Sequence, residues 1–246
     1  MNGCEDDGAV LITGAARRIG AALARGLARA GRPVLLHASA RSLGDAEAAA
    51  VAICAQGGRA SALVCDLADA RATALLVERA AAVFGPLTLL VNNASRFEPD
   101  EASSFTLDGY ERHMAVNLRT PLQLAQAFAA ALPPGGSGAI VNVLDQRVFR
   151  PSARDFTYTL SKSALWTATR TMALAFAPRI RVNAVGPGPV LPNNHVGEAG
   201  FAEEIASLPL GEAVEVESVV AAVLYLAGAR HVTGQMIAVD GGQHLV

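Results

Sequence analysis

Apolar residues in this chain fall into short continuous runs separated by longer alanine-rich stretches, and the two kinds of block have different periods. Runs such as Ala9-Val10-Leu11-Ile12, Pro33-Val34-Leu35-Leu36-His37 and Ile140-Val141-Asn142-Val143 have the continuous hydrophobicity of strands buried on both faces. The longer stretches carry Ala and Leu at helical spacing, and the first of them stops at Gly31. The pattern predicts strands over 9–12, 33–37, 60–64, 87–91, 138–143, 180–184 and 236–239, and helices over 18–30, 43–56, 69–84, 108–132, 155–177 and 217–228. Regular strand and helix alternation implies an α/β fold with a doubly wound parallel sheet of about seven strands, helices on both faces and ligands at the carboxyl ends of the strands. Pro133-Pro134-Gly135-Gly136-Ser137-Gly138 reads as a turn rather than a linker, so one domain is expected over 1–246. The least regular stretch, about 187–215, carries Pro187, Pro189, Pro192, Asn193, Asn194, His195 and Pro209 and is expected to form a substrate lid after the sixth strand.

The first strand runs into Thr13-Gly14-Ala15-Ala16-Arg17-Arg18-Ile19-Gly20 and then a helix, the strand, glycine turn and helix order of a Rossmann-type dinucleotide site. Gly14 suits the tight turn, Gly20 suits close helix packing, and the helix N-terminus offers N–H groups to a pyrophosphate. The middle glycine of the usual fingerprint is replaced by Arg18. No acidic residue follows the second strand, where an NAD site would hold the ribose hydroxyls; His37, Ser39, Arg41 and Ser42 stand there, with Arg17 across the turn. Two cations without a carboxylate suit a 2′-phosphate, so NADPH/NADP+ is the expected cofactor.

Composition changes the picture only by exclusion. At 246 residues, 52% hydrophobic and net charge −2, the chain has ample material for a core and no electrostatic reason to bind nucleic acid. It shows no apolar span of membrane length and no leader pattern, which predicts a cytoplasmic protein without membrane contact. Cys4, Cys54 and Cys65 form no Cys-x-x-Cys pair and no metal-ligand cluster, so no metal is expected.

Tyr158 and Lys162 are four residues apart, on one face of the predicted helix 155–177. An ammonium roughly 4 Å from a phenol, at an effective dielectric near 20, contributes up to about 4 kcal/mol and would draw the tyrosine pKa from ~10 toward neutrality. A tyrosine tuned in that way exchanges a proton near neutral pH.

Taken together these motifs resemble the short-chain dehydrogenase/reductase family over nearly the whole chain. Thr13-Gly14 through Gly20 is similar to its cofactor turn, Asp66-Leu67 to its adenine-side contact, Asn92-Asn93-Ala94 to its fourth-strand motif, and Pro187-Gly188 to the turn beneath the nicotinamide. Asn117 matches the helix asparagine that holds a relay water, and Tyr158 and Lys162 match the catalytic pair. A threonine that many members carry after Pro-Gly is replaced here by Val190-Leu191-Pro192. The usual catalytic serine falls thirteen residues before the tyrosine, where this chain has Asp145. Asp145, Arg18 and Asn93-Ala94-Ser95-Arg96-Phe97 together resemble the pteridine reductases, which use NADPH on biopterin- and folate-type rings. That resemblance implies Arg18, Ser95, Phe97, Asp145 and Tyr158 as substrate contacts, with Phe97 and the nicotinamide sandwiching the pterin. It also implies a homotetramer joined through the helices at 108–132 and 155–177.

The chemistry of a pterin C=N bond agrees, since it needs a hydride on carbon and a proton on nitrogen, and Asp145 beside Tyr158 is expected to share a proton with it as a coupled unit. Asp145 could instead bond only backbone amides or Arg147. Two other functions fit the same fold: a carbonyl or 3-oxoacyl-thioester reductase, and a non-catalytic NADPH-binding protein. An intact Asn117, Tyr158 and Lys162 set opposes the last.

Overall fold

A computed structural model describes residues 8–192 and 197–246; Cys4 and the stretch Asn193, Asn194 and His195 of the expected lid lie outside the described residues. The seven strands are β1 (Ala9–Ile12), β2 (Val34–Ala38), β3 (Ala60–Val64), β4 (Leu87–Asn92), β5 (Gly138–Val143), β6 (Ile180–Pro187) and β7 (Met236–Val239). All pair in parallel, in the order β3-β2-β1-β4-β5-β6-β7. The chain reverses its direction of winding between β1 and β4, which opens a crevice at their carboxyl ends. β1 and β2 are buried at every position because helices cover both faces, which is why their sequences show no alternation.

The helices are α1 (Arg18–Arg29), α2 (Leu43–Ala55), α3 (Ala70–Ala74), α4 (Leu76–Phe84), α5 (Leu107–Met114), α6 (Thr120–Ala131), α7 (Phe156–Ala175), α8 (Gly197–Ala206) and α9 (Val216–Gly228). One apolar cluster lies on the α1, α2 and α9 side, around Leu23, Leu27, Val219 and Val223. The other lies on the α4, α6 and α7 side, around Leu76, Leu124, Phe128 and Met172.

Three elements differ from the sequence pattern. The helix expected over 69–84 breaks at Leu75, where an N–H reaches back three residues to Ala72 at 3.3 Å; Asp69 caps α3 through the N–H groups of Arg71 and Ala72. The break lets α3 and α4 each lie against α6. The helix expected over 108–132 passes through a π-helical turn, Ala115–Arg119. The segment after β6 contains α8, where only irregular chain was expected.

Candidate active site

The turn after β1 is held from three directions. Gly14 has φ +64°, and a Cβ there would lie 2.9 Å from the Ala94 Cα, so neither its backbone angle nor its surroundings accept a side chain. The Asn93 side-chain amide donates to the Thr13 and Gly14 carbonyls at 2.9 and 3.0 Å, while the Thr13 hydroxyl accepts from the Asn93 and Ala94 N–H groups, each at 3.0 Å. His37 accepts the Gly14 N–H at Nδ1, 3.1 Å, which leaves the hydrogen on Nε2 to be donated to the Cys65 carbonyl at 3.0 Å. Burial holds the His37 pKa below its ordinary value, so the ring is a neutral strut. This corrects the expectation that His37 contacts a 2′-phosphate: both ring nitrogens are engaged and the residue is 3% exposed.

The cationic rim needs a second correction. Arg17 does not stand without a carboxylate, because Nε donates to Asp45 on α2 at 2.5 Å, a partner twenty-eight residues away that strand-end reasoning did not include. Arg41 is exposed and has no carboxylate partner among the described residues; the neighbouring Ser39 and Ser42 hydroxyls lie 3.1 Å apart. Asp66 is exposed and takes the Ala68 N–H at 2.9 Å, while buried Leu67 gives its carbonyl to the Thr120 hydroxyl at 2.7 Å. Ile19 is half-buried in the first turn of α1, which has neither a side-chain cap nor an acidic residue. Arg18 has φ +53°, and its guanidinium donates to the Pro192 and Leu191 carbonyls at 2.8 and 3.2 Å, tying the glycine turn to the segment after β6.

The reaction side is assembled from the ends of β4, β5 and α7. Asp145 leaves β5 in extended backbone; Oδ1 accepts the Arg147 N–H at 2.9 Å and Oδ2 accepts the Tyr158 O–H at 2.9 Å. The carboxylate therefore makes both the backbone contact and the phenol contact that the sequence left as alternatives. Burial, then the charge of and hydrogen bond to Asp145, raise the Tyr158 pKa well above that of a free phenol, with Arg147 and Ser95 opposing. Lys162 is not among the groups that draw the phenol down in this arrangement, unlike the expected activation. Lys162 Nζ donates to the Val143 carbonyl at 2.8 Å and lies 5.8 Å from the phenol ring centre, and burial takes its own pKa down to about 8, with Asp145 opposing.

The Asn117 side chain is engaged entirely by protein. Its Oδ1 accepts the Arg96 N–H at 2.7 Å and the Ser95 hydroxyl at 3.3 Å, and its amide donates to the Arg96 carbonyl at 2.9 Å and Ser161 Oγ at 3.0 Å. Both amide hydrogens are spent on protein, so Asn117 clasps the segment after β4 to α7. Phe97 meets Tyr158 edge-on, with ring centres 4.9 Å apart and planes at 88°. Pro187 closes β6, and the Gly188 N–H bonds the Val239 carbonyl at 3.0 Å.

Some polar contacts at the site go beyond the sequence reading, which offered Arg147 only as a possible partner of Asp145. Arg147 lies between Asp145 and Asp155, 3.8 and 3.4 Å away. A buried chain runs from Asn92 Nδ2 to Asn142 Oδ1 and from Asn142 Nδ2 to the Thr169 hydroxyl, each 2.8 Å, fixing β4 and β5 to α7. Asn142 inside an otherwise apolar strand was the available signal for that chain. Among the described residues no cluster of His, Cys, Asp or Glu could hold a metal, and no helix is long and apolar enough to cross a membrane.

The family model described as enoyl-(acyl carrier protein) reductase matches residues 14–244. An alternative dihydrofolate reductase 1, FolM, from Brucella canis, crystallised with NADP, superposes with a TM-score of 0.95 at 45% identity, covering 99% of this chain and 97% of that one. An uncharacterised oxidoreductase of Methylorubrum extorquens is 35% identical over 240 residues, 94% of this chain and 96% of the relative. L-xylulose reductase of Bos taurus is 34% identical over 242 residues, 94% of each chain.

Proposed function

The chain belongs to the short-chain dehydrogenase/reductase family of nicotinamide-dependent oxidoreductases, and from that premise we propose that it is an NADPH-dependent reductase of pterin-type C=N bonds, dihydropterins first and dihydrofolate second. The observation that carries this reading is the Tyr158 hydroxyl donating to the Asp145 carboxylate at 2.9 Å where the family commonly has a serine. The NADP-bound FolM neighbour from Brucella canis supports it.

The residues around the glycine turn fit the cofactor. The uncapped first turn of α1 leaves N–H groups for a pyrophosphate, and Arg41 with the Ser39 and Ser42 hydroxyls suits a 2′-phosphate. Arg17 joins them only on leaving Asp45. Asp66, Leu67, Asn93, Ala94, Pro187 and Gly188 would flank the remainder. When bound, the cofactor supplies the hydride for the ring carbon.

The protein's own part is the proton. Tyr158, its pKa raised, keeps its hydrogen at neutral pH and, held by Asp145, delivers it to the ring nitrogen. Lys162, still largely charged near neutrality, offsets the negative charge left on the pair. Phe97 provides an apolar plate for a flat ring, Arg18 has guanidinium N–H groups beyond those given to Leu191 and Pro192, and the Ser95 hydroxyl oxygen can accept at its edge.

A second reading, a carbonyl reductase, is favoured by the L-xylulose reductase relative and by a polyketide ketoacyl reductase relative of Streptomyces violaceoruber, 34% identical over 243 residues. NADPH oxidation by the purified protein against dihydrobiopterin, dihydrofolate, L-xylulose and an acetoacetyl thioester separates the two. Turnover of the pterins alone supports the first reading, and turnover of the ketones with silent pterins replaces it. On the pterin reading, Asp145→Ser lowers pterin turnover by on the order of a hundredfold, within the range for a positioned acid–base group; equal rates would remove Asp145 from the mechanism. We also place the contacts of a homotetramer on the groove of about 650 Å³ bordered by Tyr110, Met114, Leu118, Leu122, Met172 and Phe176. Light scattering of a stable monomer at micromolar concentration would refute that placement.

A further inference from the structure

The proposed reduction gives no task to the cation that stands behind Asp145. Arg147 lies in the short turn Gln146–Val148 that follows the end of β5, and its side chain is only 24% exposed. The residue meets Asp145 twice, through its backbone N–H to Oδ1 at 2.9 Å and through its guanidinium 3.8 Å from Oδ2, the oxygen that holds the phenol. The other arm of the guanidinium lies 3.4 Å from Asp155 Oδ2, and its carbon stands 5.9 Å from the Phe97 ring centre. One side chain thus touches the carboxylate, the aromatic wall and the entry to the helix that carries Tyr158.

That entry is strained. Asp155, immediately before α7, has φ 60° and ψ 48°, a left-handed conformation that is strained for a non-glycine residue and persists only where its surroundings hold it. Arg147 is among the groups that hold it. The charged and titratable groups facing Arg147 are Asp145, Asp155, Tyr158 and Glu204, and those facing Asp155 are Arg147, Arg154, Asp145 and Asp100. Lys162, 5.8 Å from the phenol ring centre, also interacts electrostatically with Asp145. A lysine at 147 could neutralise one carboxylate, but a planar fork is needed to span two.

We infer that Arg147 is the positioning residue of this site: its guanidinium holds Asp145 Oδ2 against the phenol and locks the left-handed start of α7, so that the Asp145–Tyr158 pair meets the substrate in one geometry. The inference rests on the pterin reading above. Without the guanidinium, two carboxylates face each other beside the phenol, Oδ2 swings away, and Tyr158 loses its fixed approach.

The test compares Arg147→Met, Arg147→Lys and Asp155→Asn with the wild type for turnover and KM on dihydropterin, NADPH dissociation and the pH dependence of turnover. Arg147→Met should lower kcat by about 30- to 100-fold, the scale of a misplacement near 1 Å, while KM and NADPH dissociation stay within about threefold. The acid limb of its profile should move to higher pH, because the carboxylates lose their cation. Arg147→Lys should restore the profile but only part of kcat, and Asp155→Asn should lower kcat without moving the profile as far. Wild-type kcat and an unchanged profile in Arg147→Met would overturn the inference, as would NADPH affinity and melting temperature falling together with no movement of the profile. If Arg147→Met does not fold, the other two variants decide, and wild-type behaviour in both overturns it. A wild-type protein that reduces pterins while Arg147→Met is indifferent refutes Arg147 alone. A wild type silent on pterins but active on a ketone refutes the pterin reading, and Arg147 is then scored by the same variants on that ketone.

Discussion

The polar groups that hold Gly14 in the turn after β1 are neutral and satisfy one another, whereas around Tyr158 they are charged, buried and displaced from their ordinary ionisation. In the first region the contacts of Thr13, His37 and Asn93 fix the backbone of Gly14 without any net charge. In the second, Tyr158 is pushed up, Lys162 is pulled down and Arg147 is held among carboxylates, while Gln146 Oε1 and Thr159 Oγ1 are buried with no hydrogen-bond partner among the described residues. A saturated neutral network is rigid and needs nothing further to be stable. A charged and incompletely satisfied one stores electrostatic free energy that a reaction can draw on, at a cost to the fold. Substitutions should therefore separate the two regions, binding failing on one side and turnover on the other.

The sharpest separation is expected from Tyr158→Phe, which should reduce turnover by on the order of 10²–10⁴-fold and leave NADPH dissociation nearly unchanged. Fluorescence titration alongside steady-state rates checks this, and retained turnover would remove the phenol from the proton path.

Lys162→Met tests whether the reaction side costs stability. The buried lysine titrates at about 8 in place of 10.5, so keeping its charge in the folded protein costs about 3 kcal/mol at neutral pH. Loss of the charge-assisted bond to the Val143 carbonyl offsets about 1.5–3 kcal/mol of that. The variant should lose turnover yet melt no lower than the wild type near pH 7. The sign across pH is fixed, because between about 8 and 10.5 the unfolded chain binds more protons than the folded one and wild-type stability gains on the variant as pH rises. Wild-type turnover should fall over the same approach to pH 8 and above. A variant that melts lower at neutral pH would break the comparison.

His37→Phe attacks the neutral side. It leaves the Gly14 N–H without its acceptor, a loss of about 1–3 kcal/mol, and should weaken NADPH binding by on the order of tenfold with little change in kcat at saturation. The wild-type histidine, with its folded pKa below that of the unfolded chain, should also make the protein lose stability as pH falls through about 6.5, a loss absent from the variant. The smallest effect belongs to Asp45→Asn. Freeing Arg17 from an exposed ion pair should change the preference for NADPH over NADH by less than about fivefold, measured as the ratio of dissociation constants.

How much of this was legible in the sequence follows the same division. All seven strands were readable because a strand buried on both faces announces itself as a continuous apolar run. The break at Leu75 was not, since it comes from packing against α6 and leaves no glycine or proline behind. Asp145, Tyr158, Asn117 and Phe97 converge because each sits beside a strand end or on an adjoining helix, which spacing and family resemblance reveal. The partner of each group was less accessible. Helical spacing brought Lys162 to the same face as Tyr158 but could not show that the Val143 carbonyl holds the ammonium. The Asp45 partner of Arg17 and the Asp155 partner of Arg147 depend on how separate elements pack, and nothing in the local sequence encodes that.

The π-helical turn at Ala115–Arg119 has a consequence for which changes this region accepts. An α-helix turns by about 100° per residue, so a wider turn resets the angular phase of everything that follows it. Asn117 lies within that turn, and its grip on Arg96 and Ser161 depends on the phase it sets. Replacing a side chain on α5 or α6 changes one contact. Removing one residue between 115 and 119 would re-clock α6 against α5 and carry Asn117 about a quarter-turn out of line. This stretch of the chain is therefore tolerant in composition and intolerant in length, and a relative that had lost a single residue here would have lost the clasp with it.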